Sequence, residues 1–268
     1  MQSIPVFIPK WALWCDHAAQ PTLITQQCGG TATGIDHKDL ARFIAPAWRR
    51  RLDLFGRASA EVLGRILADL SQEQIRQTRV IFASRHGNIE RTLKLLGQIA
   101  REEIPSPADF SMSVHNALVG VASINWAITQ SHSAISAGND SLVAALTEAL
   151  SQLADDPQSP VALVYIDLTL PGVYAQNDPA GMTGTAFAML IQSPDAPPNG
   201  IDSPGNTTRF SFEPLAVSPA EAASRPETFA LTHAWMMADF LKGSAPKNTP
   251  SSCLLAGRSF AWHVGRNE

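Results

Sequence analysis

The stretch that decides the fold is residues 106–150, SPADFSMSVHNALVGVASINWAITQSHSAISAGNDSLVAALTEAL. Its first part, residues 114–128, is rich in small side chains and predicts a helix that another backbone can approach closely. Residues 133–136 predict a short strand. A second helix begins near Asp140, because apolar residues recur there every three or four positions. This succession of helix, strand and helix is typical of a layered α/β domain.

The pattern continues on the amino-terminal side of this stretch. A long helix is predicted over residues 45–70, and the apolar run at residues 79–84 predicts a short buried strand. Residues 85–87 make a turn, and Asn88 is a suitable N-cap for the helix that follows. That helix has one apolar face, made of Ile89, Thr92, Leu93, Leu96, Ile99 and Ala100.

Strands dominate the carboxy-terminal side. Strands are predicted at residues 161–168, 184–191 and 252–264, with an exposed loop at 194–206 and a helix at 230–241. Residues 181–185 are interpreted as a tight turn that feeds an edge of the sheet. Asp167 ends the first of these strands without a second acid beside it, so we interpret it as a loop or turn residue.

Composition narrows the class of protein. The chain has 268 residues, a net charge of -4 and 16% charged residues. The negative charge argues against nucleic acid, whose phosphates require a basic face. The low charged fraction fits either a large core or a surface covered by another subunit. Three cysteines without a CxxC pair, and no apolar run of membrane-spanning length, predict a soluble cytoplasmic protein with reduced thiols.

Most motifs that carry chemistry are absent from the sequence. None of the seven histidines has a second ligand at helical spacing, so we expect no metal. There is no GxxxxGK, and no GxGxxG between a strand and a helix, so we expect no nucleotide cofactor. Residues 257–261 loosely match a GxSxG elbow around Ser259, but that elbow needs a following helix and a later triad histidine. An ordinary strand serine is the favoured interpretation.

The order of residues in 106–150 resembles the ketosynthases of the thiolase superfamily. Those enzymes have a serine-proline, a short strand, an asparagine, a small-residue helix and a turn that places the catalytic cysteine at a helix start. In this sequence the matching residues are Ser106-Pro107, Asn116, Gly120, Ser123 and the run Ala137-Gly138-Asn139-Asp140-Ser141.

The resemblance extends over residues 40–192. Residues 45–51 are similar to the start of the first long helix of the family, residues 82–87 to a strand end that borders the acyl tunnel, and 178–186 to a glycine-rich turn. The implied fold is α/β, a thiolase-like half with a mixed sheet and layered helices, and we expect one domain over residues 1–268. The length of the chain leads us to expect that it lacks the second half of a ketosynthase, which carries two catalytic histidines. Neither His233 nor His263 has the neighbours of those histidines.

The residue at the nucleophile position departs from the family. The ungapped alignment places Asn139 where the cysteine belongs, and a shift of one residue places Gly138 there. Neither side chain is a nucleophile, so the resemblance implies no catalytic residue here and no thioester-forming activity by the family's mechanism. We favour Asn139 as a cap of the following helix. The alternative is that its amide holds a loop.

The resemblance therefore implies a partner role. The chain is similar to the amino-terminal-half family whose members accompany an active ketosynthase as chain-length-factor-like subunits in aryl polyene and related fatty-acid or polyketide systems. The implied partners are that ketosynthase, in a heterodimer, and indirectly an acyl carrier protein. Candidate residues for the tunnel wall or the interface are His86, Phe110, Met112, Val114, His115 and Asn116.

Each of these candidates also has a plainer interpretation. Phe110, Met112 and Val114 fit ordinary core packing, and His86 fits an exposed turn. His115 and Asn116 are expected to satisfy backbone groups near the interface and to take no part in catalysis.

Two other functions stay open at this point. The first is an independent α/β hydrolase or acyltransferase that uses Ser141 or Ser259. The second is a scaffold that binds partners without any tunnel.

Overall fold

The computed structural model describes residues 3–17, 20–25, 32–179, 181–196, 209–224, 230–243, 252–258 and 260–267. In these residues, ten strands form one mixed sheet with the order β5-β4-β6-β7-β1-β8-β10-β9. The strands are β1 (Ile4–Cys15), β2 (Thr22–Thr25), β3 (Ala32–Gly34), β4 (Arg79–Ala83), β5 (His132–Ile135), β6 (Val161–Asp167), β7 (Thr185–Gln192), β8 (Arg209–Ala216), β9 (Ser252–Ala256) and β10 (Phe260–Asn267).

The sheet is parallel only near one end. Strand β4 pairs in parallel with β5 and with β6, whereas β6–β7, β7–β1 and β1–β8 are antiparallel. The short strands β2 and β3 extend from β1, outside the main order. The carboxyl ends of β4, β5 and β6 therefore meet at the same edge of the sheet, which is where the candidate functional residues lie.

Helices cover both faces of the sheet. They are α1 (Pro46–Arg49), α2 (Leu54–Leu67), α3 (Gln72–Arg76), α4 (Ile89–Ala100), α5 (Pro107–Ser111), α6 (Ala117–Trp126), α7 (Ser141–Asp155), α8 (Pro219–Ser224) and α9 (Ala230–Lys242). Helix α2 packs on β1, β6 and β7 from one side, with α6 behind it, and α7 and α9 pack on the other side.

The central strands are apolar on both faces because both faces are covered. In β6, Leu163 and Tyr165 point into the core under α7, while Val164 and Ile166 point into the core under α2. A continuous apolar run is the pattern expected of such a strand. The strands predicted at 161–168 and 184–191 are confirmed for this reason, as are the strands at 79–84 and 133–136.

Strand β7 corrects one prediction. It lies between β6 and β1, in the middle of the sheet. The turn at residues 181–185 therefore does not feed a sheet edge.

The long helix predicted over residues 45–70 is two helices. Asp53 begins the second of them, and its carboxylate accepts a hydrogen bond from the Gly56 backbone amide at 3.1 Å. An aspartate at this position satisfies a backbone donor that the helix leaves open. The chain therefore turns between α1 and α2.

Two other boundaries differ from the predictions. Residues 107–111 form helix α5, not the short strand that the resemblance implied, because Pro107 suits a first helical turn and Ser106 accepts from the Asp109 amide. The single strand predicted at 252–264 is the hairpin β9–β10. Most of the loop predicted at 194–206 lies outside the described residues.

Strand β1 was not predicted at all. Its apolar character alone does not separate a strand from a buried helix, and Pro5 and Pro9 argue against a central strand. The strand accommodates them through an irregularity between Phe7 and Lys10, where its pairing with β7 shifts register.

Candidate functional site

Helix α7 begins directly after strand β5, at a turn made by residues 136–140. Gly138 has a φ of +56°, a conformation that side chains disfavour. The Ser141 hydroxyl closes the turn, because it donates to the Gly138 carbonyl at 2.7 Å and accepts from the Ala137 amide at 3.0 Å. The fold thus builds a tight turn at the exposed start of a helix whose body is buried.

The N-cap position of α7 is Asp140, so the prediction that Asn139 caps the helix is wrong by one residue. The Asp140 carboxylate does not bond to its own helix. It accepts from the backbone amide of Arg258, at 2.9 Å, in the turn of the carboxy-terminal hairpin. Asn139 precedes this cap and is half-buried.

A helix start of this kind can activate a thiol, because the positive end of the helix dipole stabilises a thiolate. The turn offers no sulfur, since residues 136–141 contain no cysteine. Burial raises the pKa of Cys15 to about 12 and that of Cys253 to about 11. Both thiols therefore stay protonated at neutral pH and are poor nucleophiles.

A buried polar network joins the ends of β4 and β6 beside this turn. Asp167, 3% exposed, accepts hydrogen bonds from the Ser84 hydroxyl at 3.0 Å, the Arg85 amide at 2.9 Å and the Tyr165 hydroxyl at 2.5 Å. The interpretation of Asp167 as a loop or turn residue is wrong. Burial raises the pKa of its carboxyl, while the Tyr165 hydrogen bond and the charge of Arg85 act in the opposite direction.

Arg85 extends the network to the segment between β6 and β7. Its guanidinium lies 3.6 Å from Asp167 and 2.9 Å from Asp178, and all three side chains are more than nine-tenths buried. Asp178 also accepts from the Leu170 amide at 2.5 Å. The Ser136 hydroxyl donates to the Arg85 carbonyl at 2.9 Å. The network therefore connects the turn before α7 with the segment that follows β6.

His86 and His115 lie next to this network. The His115 ring nitrogen Nε2 is 3.0 Å from the Ser84 carbonyl, so its role within the chain is structural. Gly87, with φ of +63°, lies so close to the His115 ring that an added Cβ would approach it to 2.7 Å. His86 is exposed and borders a cavity of about 130 Å³ that Phe55 and Asn88 also line. Partial desolvation of the ring at the cavity edge and the charge of Arg85 lower the pKa of His86.

The remaining candidates are distributed between surface and core. Phe110 is 63% exposed and Val114 is 43% exposed, so core packing is wrong for these two. Met112 is half-buried against the α2 core, which agrees with the packing interpretation. Asn116 is exposed at the N-cap position of α6 without a side-chain cap bond. The structure brings these residues together along one border, between the end of α4 and the start of α6.

The described residues hold neither a cluster of metal ligands nor a helix able to span a membrane. They contain no group of three or more histidine, cysteine or acidic side chains arranged to hold a metal ion. Nor does any helix within those ranges combine the length and apolar character that crossing a bilayer requires.

Solved structures share the fold. A chain of the ketosynthase ApeO in complex with its chain length factor ApeC, from Xenorhabdus doucetiae, aligns over 98% of this chain and 100% of its own, with a TM-score of 0.66 and 22% identity. The ishigamide ketosynthase/chain length factor aligns over 98% of this chain and 99% of its own, with a TM-score of 0.66 and 11% identity. A third match comes from a complex of a type II polyketide synthase acyl-carrier protein with its ketosynthase bound to the hexaketide. It aligns over 88% of each chain, with a TM-score of 0.62 and 11% identity.

At these identities the structural matches establish the fold alone, which is the thiolase-like half that the sequence predicted. No curated protein sequence matches the chain. The family described as "Beta-ketoacyl synthase, N-terminal domain" matches residues 11–243, which is most of the sequence. The chain therefore belongs to the family of β-ketoacyl synthase N-terminal domains.

Proposed function

We propose that the chain is a non-catalytic, chain-length-factor-like subunit that pairs with an active β-ketoacyl synthase and closes part of its acyl tunnel. The observation that carries the proposal is the turn before α7. It keeps the tight geometry and the helix start, yet Gly138, Asn139 and Asp140 occupy it and supply no nucleophile. A ketosynthase needs a thiolate there to accept an acyl group from a thioester.

A partner surface is available beside this turn. Within the described residues, strand β5 ends the sheet order and pairs with β4 on one side, so its other edge could accept a strand of another chain. Its residues alternate between exposed and half-buried, whereas all of β4 is buried. Unpaired backbone donors and acceptors along such an edge favour pairing with a second sheet.

Several exposed apolar side chains lie in the segment between β4 and β5, which contains α4, α5 and α6. The sequence predicted one apolar face on α4, yet Leu95 is the only buried residue of this helix. Leu96 is 55% exposed and Ile99 is 58% exposed. We define the outer apolar surface as Leu96, Ile99, Ile104, Phe110 and Ile124. Exposed apolar side chains such as these are candidates for burial in a complex.

Of the candidate wall residues, Phe110 belongs to this surface, and Met112 and Val114 follow it closely in sequence. A bound ketosynthase would cover Phe110 and Val114, and Met112 lies between them. Side chains at this position would limit the volume at the end of the partner's tunnel, so that a growing chain is blocked sterically when it fills the space. In this proposal the substrate is an acyl chain of an aryl polyene, fatty-acid or polyketide system, carried by an acyl carrier protein and held mainly by the ketosynthase.

The structural relatives support the pairing. Two of the aligned structures are described as ketosynthase and chain length factor complexes, and a third contains an acyl-carrier protein with its ketosynthase. We propose the same type of partners for this chain. We place the complex in the cytoplasm, where the free thiols of Cys15 and Cys253 stay reduced.

The serine-dependent alternative gains no support from Ser141. Its hydroxyl is buried and donates to a backbone carbonyl, whereas a serine nucleophile needs an exposed hydroxyl next to a base. Ser259 lies outside the described residues.

Co-expression with the cognate ketosynthase tests the proposal. We expect a stable heterodimer. Its products should become longer with Met112→Ala, because the smaller side chain leaves more space at the end of the tunnel. Met236→Ala on α9 is the matched control. A chain that stays monomeric beside the ketosynthase would overturn the pairing. If the complex is stable but Met112→Ala does not change the product lengths, the tunnel-wall role is wrong and the scaffold role remains.

A further inference from the structure

Helix α5 has little to hold it in place by itself. It is five residues long, which is too short for a helix to be stable alone. Phe110 points mostly to solvent, and none of the five residues of α5 is buried. Polar contacts to neighbouring elements therefore help to set its position, beside the packing of its C-cap residue Met112 against the α2 core.

Arg91, on α4, supplies these contacts. Its Nη1 atom lies 2.8 Å from one Asp109 oxygen on α5, and Lys94 Nζ lies 2.8 Å from the other. The opposite side of the same guanidinium holds Asp53, the N-cap of α2, through Nε at 3.1 Å and Nη2 at 2.8 Å. The Arg91 side chain is only 14% exposed.

The guanidinium therefore links the start of α2 to α5 across α4. Asn88 joins from the N-cap of α4, since its amide donates to Asp53 at 2.7 Å. A planar guanidinium with fixed donor directions can hold two carboxylates at once, which a lysine ammonium on a flexible stem does less well. The start of α2 is well packed, because Phe55 is buried, so the link fixes α5 to a rigid part of the fold.

We infer that Arg91 is a positioning residue that sets product length by holding Phe110 and Met112 at the tunnel wall through Asp109. This inference rests on the proposed function and deepens it. Arg91 touches no substrate in this scheme. It acts through α5, so its loss lets the wall shift outward or fluctuate, and the ketosynthase then makes longer or less uniform products.

The test uses the complex of the chain with its ketosynthase. Asp109→Ala removes the α5 side of the link without touching the cap of α2. Arg91→Lys keeps the charge but not the fork. The matched control is Asp39→Ala, since Asp39 accepts from Arg42 at 2.6 Å in an exposed ion pair elsewhere. Hydrogen exchange of residues 105–115 and the length distribution of products are measured for each complex.

For Asp109→Ala we expect exchange in residues 105–115 to rise roughly two- to fivefold, with unchanged exchange in β4 and β6. Products should become longer or broader, and Arg91→Lys should lie between Asp109→Ala and the unaltered chain. The control should change neither quantity. Unchanged product lengths for Asp109→Ala overturn the inference whether or not exchange rises, and so does an equal change in the control. Failure of the proposed function is separate, because it shows in the unaltered chain and in Met112→Ala.

Discussion

At the scale of residues, Asp167 organises the polar interior beside the candidate site. It receives three hydrogen bonds at the point where β4 and β6 end, and Arg85 carries the connection onward to Asp178. A charged group this deeply buried is tolerated only when it is paired and hydrogen-bonded. Removing its charge takes away one of the two carboxylates that the buried Arg85 guanidinium faces.

We therefore expect Asp167→Asn to lower the free energy of unfolding by about 2–4 kcal/mol, because it breaks a buried charge pair. Asp69→Asn is the matched control, since Asp69 forms an exposed ion pair with Lys10 and should cost less than about 1 kcal/mol. Urea denaturation at neutral pH measures both. Equal losses for the two variants would mean that the network adds no stability.

His233 gives the fold a pH dependence. It is fully buried, its Nε2 donates to the Ala256 carbonyl at 3.0 Å, and burial lowers its pKa below the ordinary 6.5 although that bond and the charge of Asp140 favour the proton. The unfolded chain then binds a proton at a pH where the folded chain does not. Stability should fall as the pH drops below 6.5 towards the folded pKa.

Thermal or urea unfolding between about pH 7.5 and about pH 5.5 measures this effect. His233→Gln should flatten the acid side of the profile while leaving the part that His86 contributes. A variant whose stability falls with acidification as steeply as that of the unaltered chain would contradict the assignment.

At the scale of elements, apolar pattern predicted strands β4 to β7 and the longer helices, but it missed strands β1, β2, β3 and β8 and did not show how far the α4 face is covered. Leu96 and Ile99 recur at the same helical spacing as core residues. The sequence of one chain therefore does not distinguish burial in its own core from burial in a complex. Strand β1 was missed because its two prolines oppose the strand pattern. Asp167 was misread because its partners, Ser84 and Arg85, are distant in sequence.

A signal for the Asp167 network was nevertheless present. Ser84 and Arg85 end one apolar strand and Asp167 ends another, and ends of neighbouring parallel strands meet. Arg91 and Asp109 gave no comparable signal, since their meeting depends on where the short helix α5 packs.

The outer apolar surface leads to a prediction about α4. The double variant Leu96→Glu and Ile99→Glu should leave the stability of the isolated chain within about 0.5 kcal/mol per change, because both side chains are already exposed. Binding to the ketosynthase should weaken at least about tenfold, since charges would be buried at the interface. Leu254→Glu on β9, at the opposite end of the sheet, is the control. Isothermal titration calorimetry or analytical ultracentrifugation measures the affinity. If the double variant bound the ketosynthase as tightly as the unaltered chain, this placement of the interface would be wrong.

At the scale of the whole molecule, the described chain is a thiolase-like half whose features are unevenly distributed. The turn before α7, the open edge of β5 and the Asp167 network belong to the same end of the sheet, and the candidate wall residues lie in the segment that joins β4 to β5. At the other edge of the sheet order lies β9, and the turn of the hairpin β9–β10 bonds to Asp140 in the turn before α7. A molecule built this way suits a role in which another subunit supplies the nucleophile and this one supplies a wall.

Intact-mass spectrometry of the heterodimer during turnover with an acyl carrier protein substrate tests this account most directly. We expect the ketosynthase subunit to gain the mass of the acyl group and this chain to keep its own mass throughout. A covalent acyl adduct on this chain, formed at the rate of turnover, would show that it carries a nucleophile of its own and would contradict the account.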